Sequence, residues 1–264
     1  MRAKEGEVRL EKHNPRWRQM FAQELDELWD YFGDYAIRIS HIGSTAIDNI
    51  EAKPIIDIVV AVKDLDDFSF VSHKFTSNPE YSIKNDFTNE EILIRKGDKN
   101  NRSFYIHVMD IDNKRYKDVI IFRDLLLHDM KTFTDYRNLK HTLATKYSQN
   151  RKKYTSTKSD FIEAALEIYW AKTALIPAVV ILAISLTTLI ASIYVRTTSQ
   201  SNALLFSLSA ISLSRIGMVF GAVCLIATTL ATIVLARRLI DGRKKYNKIT
   251  AKINRDIAKE EHKR

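Results

Sequence analysis

Hydrophobic and polar positions follow three different rhythms along this chain. Between Trp17 and Phe32 the apolar residues Trp17, Met20, Phe21, Leu25, Leu28, Trp29 and Phe32 recur three and four places apart, which lines them along one stripe of an amphipathic helix. Asn14 followed by Pro15 predicts its start, with Asn as N-cap and Pro at the first helical position, and Gly33 predicts its end. Ala36 to Ile42 reads as a strand, followed by a turn at Gly43-Ser44-Thr45. Ile55 to Val62 is apolar except for Asp57 and rich in β-branched residues, the pattern of a buried strand. Asp64 opens an expected helix to about Phe75. Ile92 to Arg95 and Ser103 to Val108 predict two further strands, joined by the polar segment Gly97 to Asn101. From Lys114 the period is helical again, with one stripe at Val119, Phe122, Leu125 and Leu126 and another at Tyr136, Leu139, Leu143 and Tyr147. Ser159 is the expected cap of a last helix over Asp160 to Trp170. The expected fold is α+β: a small mixed sheet followed by a helical subdomain.

Two apolar runs then dominate. Ala174–Val195 and Ile216–Ala236 hold roughly 22 and 21 residues without a formal charge, about what a helix needs to cross a bilayer core of ~30 Å. The expected organisation is a head over 1–170, a transmembrane hairpin over 171–240 with spans at 174–195 and 216–236, and a basic tail over 241–264. Arg151, Lys152, Lys153, Lys158 and Lys172 precede the first span. Arg237, Arg238, Arg243, Lys244, Lys245 and Lys248 follow the second, whereas the connecting segment has only its bounding Arg196 and Arg215. The positive-inside rule therefore predicts two spans with both termini cytoplasmic. Tyr169, Trp170 and Tyr194 fall where interfacial aromatic belts lie. The apolar piece Ala203 to Leu213, with Ser207, Ser209 and Ser212, either lies in the interface or extends the second helix. Polar contacts from Ser185, Thr187, Thr188, Ser192, Thr228, Thr229 and Thr232, and the pair Gly217 and Gly221, offer a route to a homo-oligomer; a passive anchor is the plainer reading. No acidic or basic residue lies inside either span, so nothing points to an ion pathway.

Charge changes the picture near the membrane. The net charge is +9, much of it in the segments flanking the spans, where it favours anionic lipid headgroups over nucleic acid as a partner. The tail 237–264 carries eleven Lys or Arg against four Asp or Glu. Its Ile249, Ile253 and Ile257, four apart, read as an amphipathic helix on the inner leaflet, a self-association seam or a solvated tail. The start, 1–12, is too charged for a cleavable signal peptide. The single cysteine, Cys224, falls inside the second span, which excludes a disulfide framework and a cysteine zinc site.

Asp57 is the residue with the clearest chemical demand. Alternation puts it on the same strand face as Val59, and a carboxylate between isoleucines needs a partner, a hydrogen bond or a metal. A structural pairing with Lys53 or an arginine is the plain alternative. Upstream, His41-Ile42-Gly43-Ser44-Thr45 follows a strand. A Gly-Ser turn allows close backbone approach, and N–H groups at a following helix start can hold phosphate, although such a tripeptide is often only a turn. Turn and strand Asp in this order suggest a polymerase-β-like nucleotidyltransferase fold.

HIGSTAI…AKPIIDI, RSFYIHV, FRDLLL, Tyr136 with Leu139-Lys140, and Tyr154 with Lys158 occur in that order, and over roughly residues 8 to 170 the chain resembles the GrpB family, a divergent branch of the nucleotidyltransferase superfamily. The matching positions are His41, Gly43, Ser44, Lys53, Pro54, Asp57, Arg102, His107, Arg123 and Lys140. The resemblance implies a nucleotide or phosphorylated ligand, with Gly43 and Ser44 on phosphate oxygens, Asp57 catalytic and binding Mg²⁺, and Lys53, Arg102 and His107 neutralising further oxygens. His107 shares its strand face with Ser103 and Tyr105, which suits a pocket residue or a structural histidine.

The pattern also departs from active nucleotidyltransferases, which carry Asp-x-Asp. Here the second position is Val59, and Mg²⁺ generally wants several oxygen ligands. Asp86, Asp110 and Asp112 are substitutes, with Asp110 the best placed second metal ligand. Two functions stand from the sequence. One is a membrane-anchored, Mg²⁺-dependent nucleotidyltransferase-like enzyme. The other is a non-catalytic module that binds a nucleotide or phosphorylated small molecule and signals to, or recruits partners at, the membrane. A third reading makes the hairpin itself an effector.

Overall fold

The alternation over 36–62 produces two adjacent strands, β1 (Ala36–Ile42) and β2 (Ile56–Val62). The computed structural model describes residues 8–84, 90–98, 101–201 and 208–261. Among these, β3 (Tyr81–Ile83), β4 (Ile92–Asp98) and β5 (Asn101–Asp110) complete a five-stranded sheet in the order β1-β2-β5-β4-β3. The central pair β2 and β5 is parallel and the other pairs are antiparallel, so the sheet is mixed. The short edge strand β3 is the one the sequence pattern does not announce. Lys99 and Asn100, at the tip of the expected β4–β5 hairpin, lie outside the described residues.

One face of the sheet carries Ile56, Ile58, Val60, Val62, Ile92, Ile94, Phe104, Ile106 and Val108, packed beneath α1 (Arg16–Phe32) and α2 (Phe68–Ser77). Asn14 starts α1 as expected, its side chain accepting from the Arg16 N–H at 3.1 Å, and Gly33 ends it at φ 53°. Asp64 caps a short 3₁₀ turn that leads into α2, so α2 itself begins later than expected. The opposite face, with Ile42, Val59, Ala61 and Met109, packs on Tyr116 from α3 (Lys114–His128). Helix α4 (Met130–Lys146) follows. The helix expected to start at Ser159 starts at Arg151 instead, because Asn150 accepts the Lys153 N–H at 2.9 Å and supplies the cap. This helix, α5, spans Arg151–Ser201, and α6 spans Leu208–Glu261.

The chain divides into two compact units, Met1–Glu163 with Ile249–Arg264, and Ala164–Lys248. In the first, the end of α6 is ordered helix with Ile253 buried, and Asp256 pairs with Lys146 of α4 at 2.8 Å. In the second, Gly221 backs onto Leu189, whose Cα lies 3.3 Å from where a Gly221 Cβ would be. Gly242 similarly meets Glu167 and Ile168, and Lys245 pairs with Glu167 at 3.5 Å. Two helices here are long and apolar enough to cross a membrane, and their most apolar windows are 6 % and 0 % buried. The hydroxyls of Ser185, Thr187, Thr188, Ser192, Thr228, Thr229 and Thr232 all donate to carbonyls of their own helix, which satisfies them without a second chain. Leu208–Leu213 of the apolar connecting piece belong to α6, and 203–207 lie outside the described residues.

A buried ionic group ties α1 to the far side of the sheet. Glu24 is 3 % exposed and accepts from Tyr81 Oη and Lys96 Nζ, both at 2.7 Å, while Lys96 also reaches Glu27 at 2.5 Å. Burial raises the Glu24 pKa, against the pull of Lys96. Lys96→Met strands the Glu24 carboxylate without its cation and is expected to cost about 3 kcal/mol. Urea unfolding followed by the fluorescence of Trp17 and Trp29 measures it.

Candidate functional site

Strand β1 ends at Ile42, opposite Asp57 at the start of β2. Gly43 then adopts φ 71° and ψ −169°, a conformation essentially confined to glycine. Its missing side chain makes room for Asp57: a Cβ at Gly43 would sit 2.5 Å from Asp57 Oδ2. The following turn, Ser44–Ala46, is braced by His41, whose Nε2 hydrogen-bonds Thr45 Oγ1 at 2.9 Å and whose ring stacks on Phe21 at 4.8 Å. Burial pushes the His41 pKa down to about 4, so this ring is neutral and structural. Arg123 supports the same corner through the His41 carbonyl at 3.4 Å.

Asp57 and His107 meet because β2 and β5 are parallel in a fixed register. Asp57 pairs with Tyr105 and Val59 with His107, so His107 is the diagonal neighbour of Asp57 on one face. Its Nε2 lies 3.8 Å from Asp57 Oδ1 and its Nδ1 2.5 Å from Glu91 Oε1. Glu91 Oε2 in turn accepts from Arg115 Nε at 2.6 Å. Burial alone would lower the His107 pKa, but the two carboxylates outweigh it and raise it to about 9. The same partners hold the Glu91 carboxyl below its ordinary value in spite of burial. The position where Asp-x-Asp would place its second carboxylate holds fully buried Val59, and the residue across from it is a cation.

Lysines gather on the other side of Asp57. Lys140 of α4 is 3 % exposed, with its Nζ donating to the Glu51 carbonyl and lying 5.7 Å from the Tyr136 ring centroid. Lys53, just before β2, lies 5.7 Å from the ring centroid of Tyr154 on α5. Tyr136 also places its hydroxyl 3.4 Å from Ser44 Oγ. Burial lowers the Lys140 pKa to about 7, with Lys158 and Lys53 adding repulsion and Asp57 opposing. Burial likewise lowers Lys53 to about 8, with Arg151 and Lys158 adding to it. Among the described residues, no carboxylate forms an ion pair with Lys53, Lys140 or Lys158. Cations that repel one another and have no ion-paired partner suit an anion.

The structure brings Gly43, Ser44, Lys53, Asp57 and His107 to one corner and adds Lys140, Lys158, Tyr136 and Tyr154. Arg102 stands apart: its guanidinium donates to the Gly97 carbonyl and, at 3.2 Å, to Ser82 Oγ, which secures the β4–β5 hairpin. Asp110 also stands apart. It pairs with Val62, five residues along β2 from Asp57, roughly 16 Å away at strand spacing, and its Oδ1 accepts the Asp112 N–H at 2.6 Å. It therefore shares no metal with Asp57, and Asp112 is exposed beside Lys117. Asp86 lies outside the described residues. The described residues contain no group of three His, Cys, Asp or Glu disposed to hold a metal ion. With a histidine cation on one side of Asp57 and lysines on the other, the side chains present do not fit a resident Mg²⁺. Glu91 and Arg115 are the members that sequence reasoning missed. Glu91 precedes β4 by one residue, and only the β4–β5 register reveals that it faces His107.

Two substitutions probe this geometry. Gly43→Ala drives a methyl into the Asp57 carboxylate from a backbone few other residues adopt, and it is expected to cost about 1–3 kcal/mol in urea unfolding. For His107 the folded pKa of about 9 lies above the unfolded value of 6.5. Its ion pairs therefore add stability, on the order of 3 kcal/mol, that is fully present below pH 6.5 and lost as pH rises through 9. The stability difference between wild type and His107→Gln, measured from pH 6 to 10, is expected to shrink over that window.

The comparisons with known proteins fall on the same part of the chain. The family model described as GrpB protein matches residues 7–167. The glutamate-rich protein GrpB of Alkalihalophilus pseudofirmus is 32% identical over 165 residues, covering 61% of this chain and 95% of the relative. UPF0157 protein YqkA of Bacillus subtilis is 30% identical over 162 residues, covering 61% of this chain and 46% of the relative. The crystal structure of the conserved protein GrpB from Enterococcus faecalis superposes with a TM-score of 0.55 at 26% identity, covering 61% of this chain and 99% of that one. The matched region contains the Gly43 turn, the Asp57–His107 pair and the lysine cluster, and the chain belongs to the GrpB family.

Proposed function

We propose that the head is a binding module for a phosphorylated small molecule, carried at a membrane by the hairpin. The observation that carries this reading is the convergence of Lys53, Lys140 and Lys158, none of them paired with a carboxylate, beside Ser44 and Tyr136. Burying the Lys140 ammonium with Lys53 and half-buried Lys158 close enough to repel it is costly, and a phosphoryl group with two negative charges offsets that cost. Tyr136 and Tyr154 lie beside the lysines, and the Ser44 hydroxyl, next to Tyr136 Oη, offers a neutral donor. The hairpin supports a two-span membrane protein with its basic flanks and both termini on the cytoplasmic side, against anionic headgroups.

Nucleotidyl transfer on a polymerase-β-like fold is the second reading, favoured by the contact between the Gly43 turn and the strand aspartate. It needs a metal site, and buried Val59, distant Asp110 and cationic His107 argue against one.

Calorimetric titration of the full chain, in detergent micelles and EDTA, with inorganic pyrophosphate separates these readings. Micromolar to millimolar binding is expected, weakened at least about tenfold in Lys140→Met. No binding by the wild type overturns the proposal. Mg²⁺-dependent release of pyrophosphate from a nucleoside triphosphate, abolished in Asp57→Ala, replaces it with the enzyme.

A further inference from the structure

Asp57 sets an electrostatic problem that the lysines leave unsolved. Its side chain is 34% exposed, so it is open to a ligand from solvent. Oδ2 rests against Gly43, and Oδ1 faces His107 Nε2 at 3.8 Å, an ion-pair rather than a hydrogen-bond distance. Among the described residues no donor lies within hydrogen-bonding distance of this carboxylate. Lys53 and Lys140 feel it only through space. His107 compensates this carboxylate on the β5 side only, so a phosphoryl group drawn in by the lysines arrives beside a carboxylate with open acceptor positions.

Either a divalent ion or a donor on the ligand itself resolves that conflict. The surroundings disfavour the ion: the residue two along the strand is Val59, Glu91 is committed to His107 and Arg115, and Asp110 lies at the far end of the strand pair. We infer that Asp57 accepts a hydrogen bond from a hydroxyl of the ligand, so that the corner is bipolar and selects the phosphate monoester of a polyol, such as a sugar phosphate, over bare phosphate. The inference rests on the proposal that the lysines take the phosphoryl group. It adds the second half of the ligand: lysines for the charge, Asp57 for a hydroxyl a few bonds away.

The test uses the full chain in detergent micelles with EDTA and two probes of similar charge, ribose 5-phosphate and inorganic phosphate. Wild type is expected to prefer ribose 5-phosphate by about tenfold or more. Asp57→Ala is expected to move the two probes in opposite directions, weakening ribose 5-phosphate several-fold while leaving inorganic phosphate unchanged or tighter, since a like charge has gone. Asp57→Asn, which keeps the shape and an acceptor oxygen, is expected to retain part of the preference; thermal melts of both variants check that the head is folded. Equal binding of the two probes by wild type, or equal losses for both in Asp57→Ala, overturns the role of Asp57 and leaves the lysine site standing. A preference that appears only when Mg²⁺ is added overturns it in favour of a metal. Failure of wild type to bind either probe removes the lysine site and this inference together.

Discussion

The parallel register of β2 against β5 is the constraint on which the head depends. It is the one parallel pairing in the sheet, and it lies at the centre with both faces covered. With Val59 opposite His107, Ile56, Ile58, Val60 and Val62 of β2 and Ile106 and Val108 of β5 fall beneath α1 and α2, while Asp57 and His107 fall together on the other face. A slip of one residue between the two strands would turn one of them over, parting Asp57 from His107 and driving one ionisable group under α1 and α2. The hydrophobic core thus selects the register, and the register brings the polar corner into being.

Around that corner the protein pairs charge on one side and leaves cations without ion pairs on the other. On the β5 side, Arg115, Glu91, His107 and Asp57 alternate in sign, each fixing the next. On the α4 side, Lys140 and Lys53 sit among tyrosines and backbone carbonyls. The half-buried turn between them combines a glycine that few residues could replace with a serine that many could. That combination concentrates sequence constraint on Gly43, which Asp57 leaves no room to change, more than on the hydroxyl beside it.

Much of this was legible in the sequence, for identifiable reasons. Strand β1 and helix α1 could be read to the residue or nearly so, because period, cap and glycine stop agree. Asp57 stood out because a charge in an apolar β-branched run is costly. The GrpB resemblance rested on short motifs that the fold then gathers at the Gly43 turn. What stayed hidden depends on register or on competing caps. Glu91 reaches His107 only through antiparallel pairing, Arg102 turns back onto its own hairpin, and Asn150 starts α5 ahead of the serine that seemed the natural cap. Strand β3 is three residues long and carries no alternation to read. In the apolar hairpin, length and composition marked both helices, but the close approach at Gly221 and Leu189 is a property of two surfaces, invisible in either run alone.

Lys140 has a consequence for thermodynamics as well as for recognition. Because burial lowers its pKa to about 7, a fraction of molecules near neutral pH carry it deprotonated. An anion bound there, as proposed, would favour the charged form, so capture would be accompanied by uptake of a proton from the medium. Occupancy would then follow acidity as well as ligand supply, with affinity rising as the pH falls through about 7.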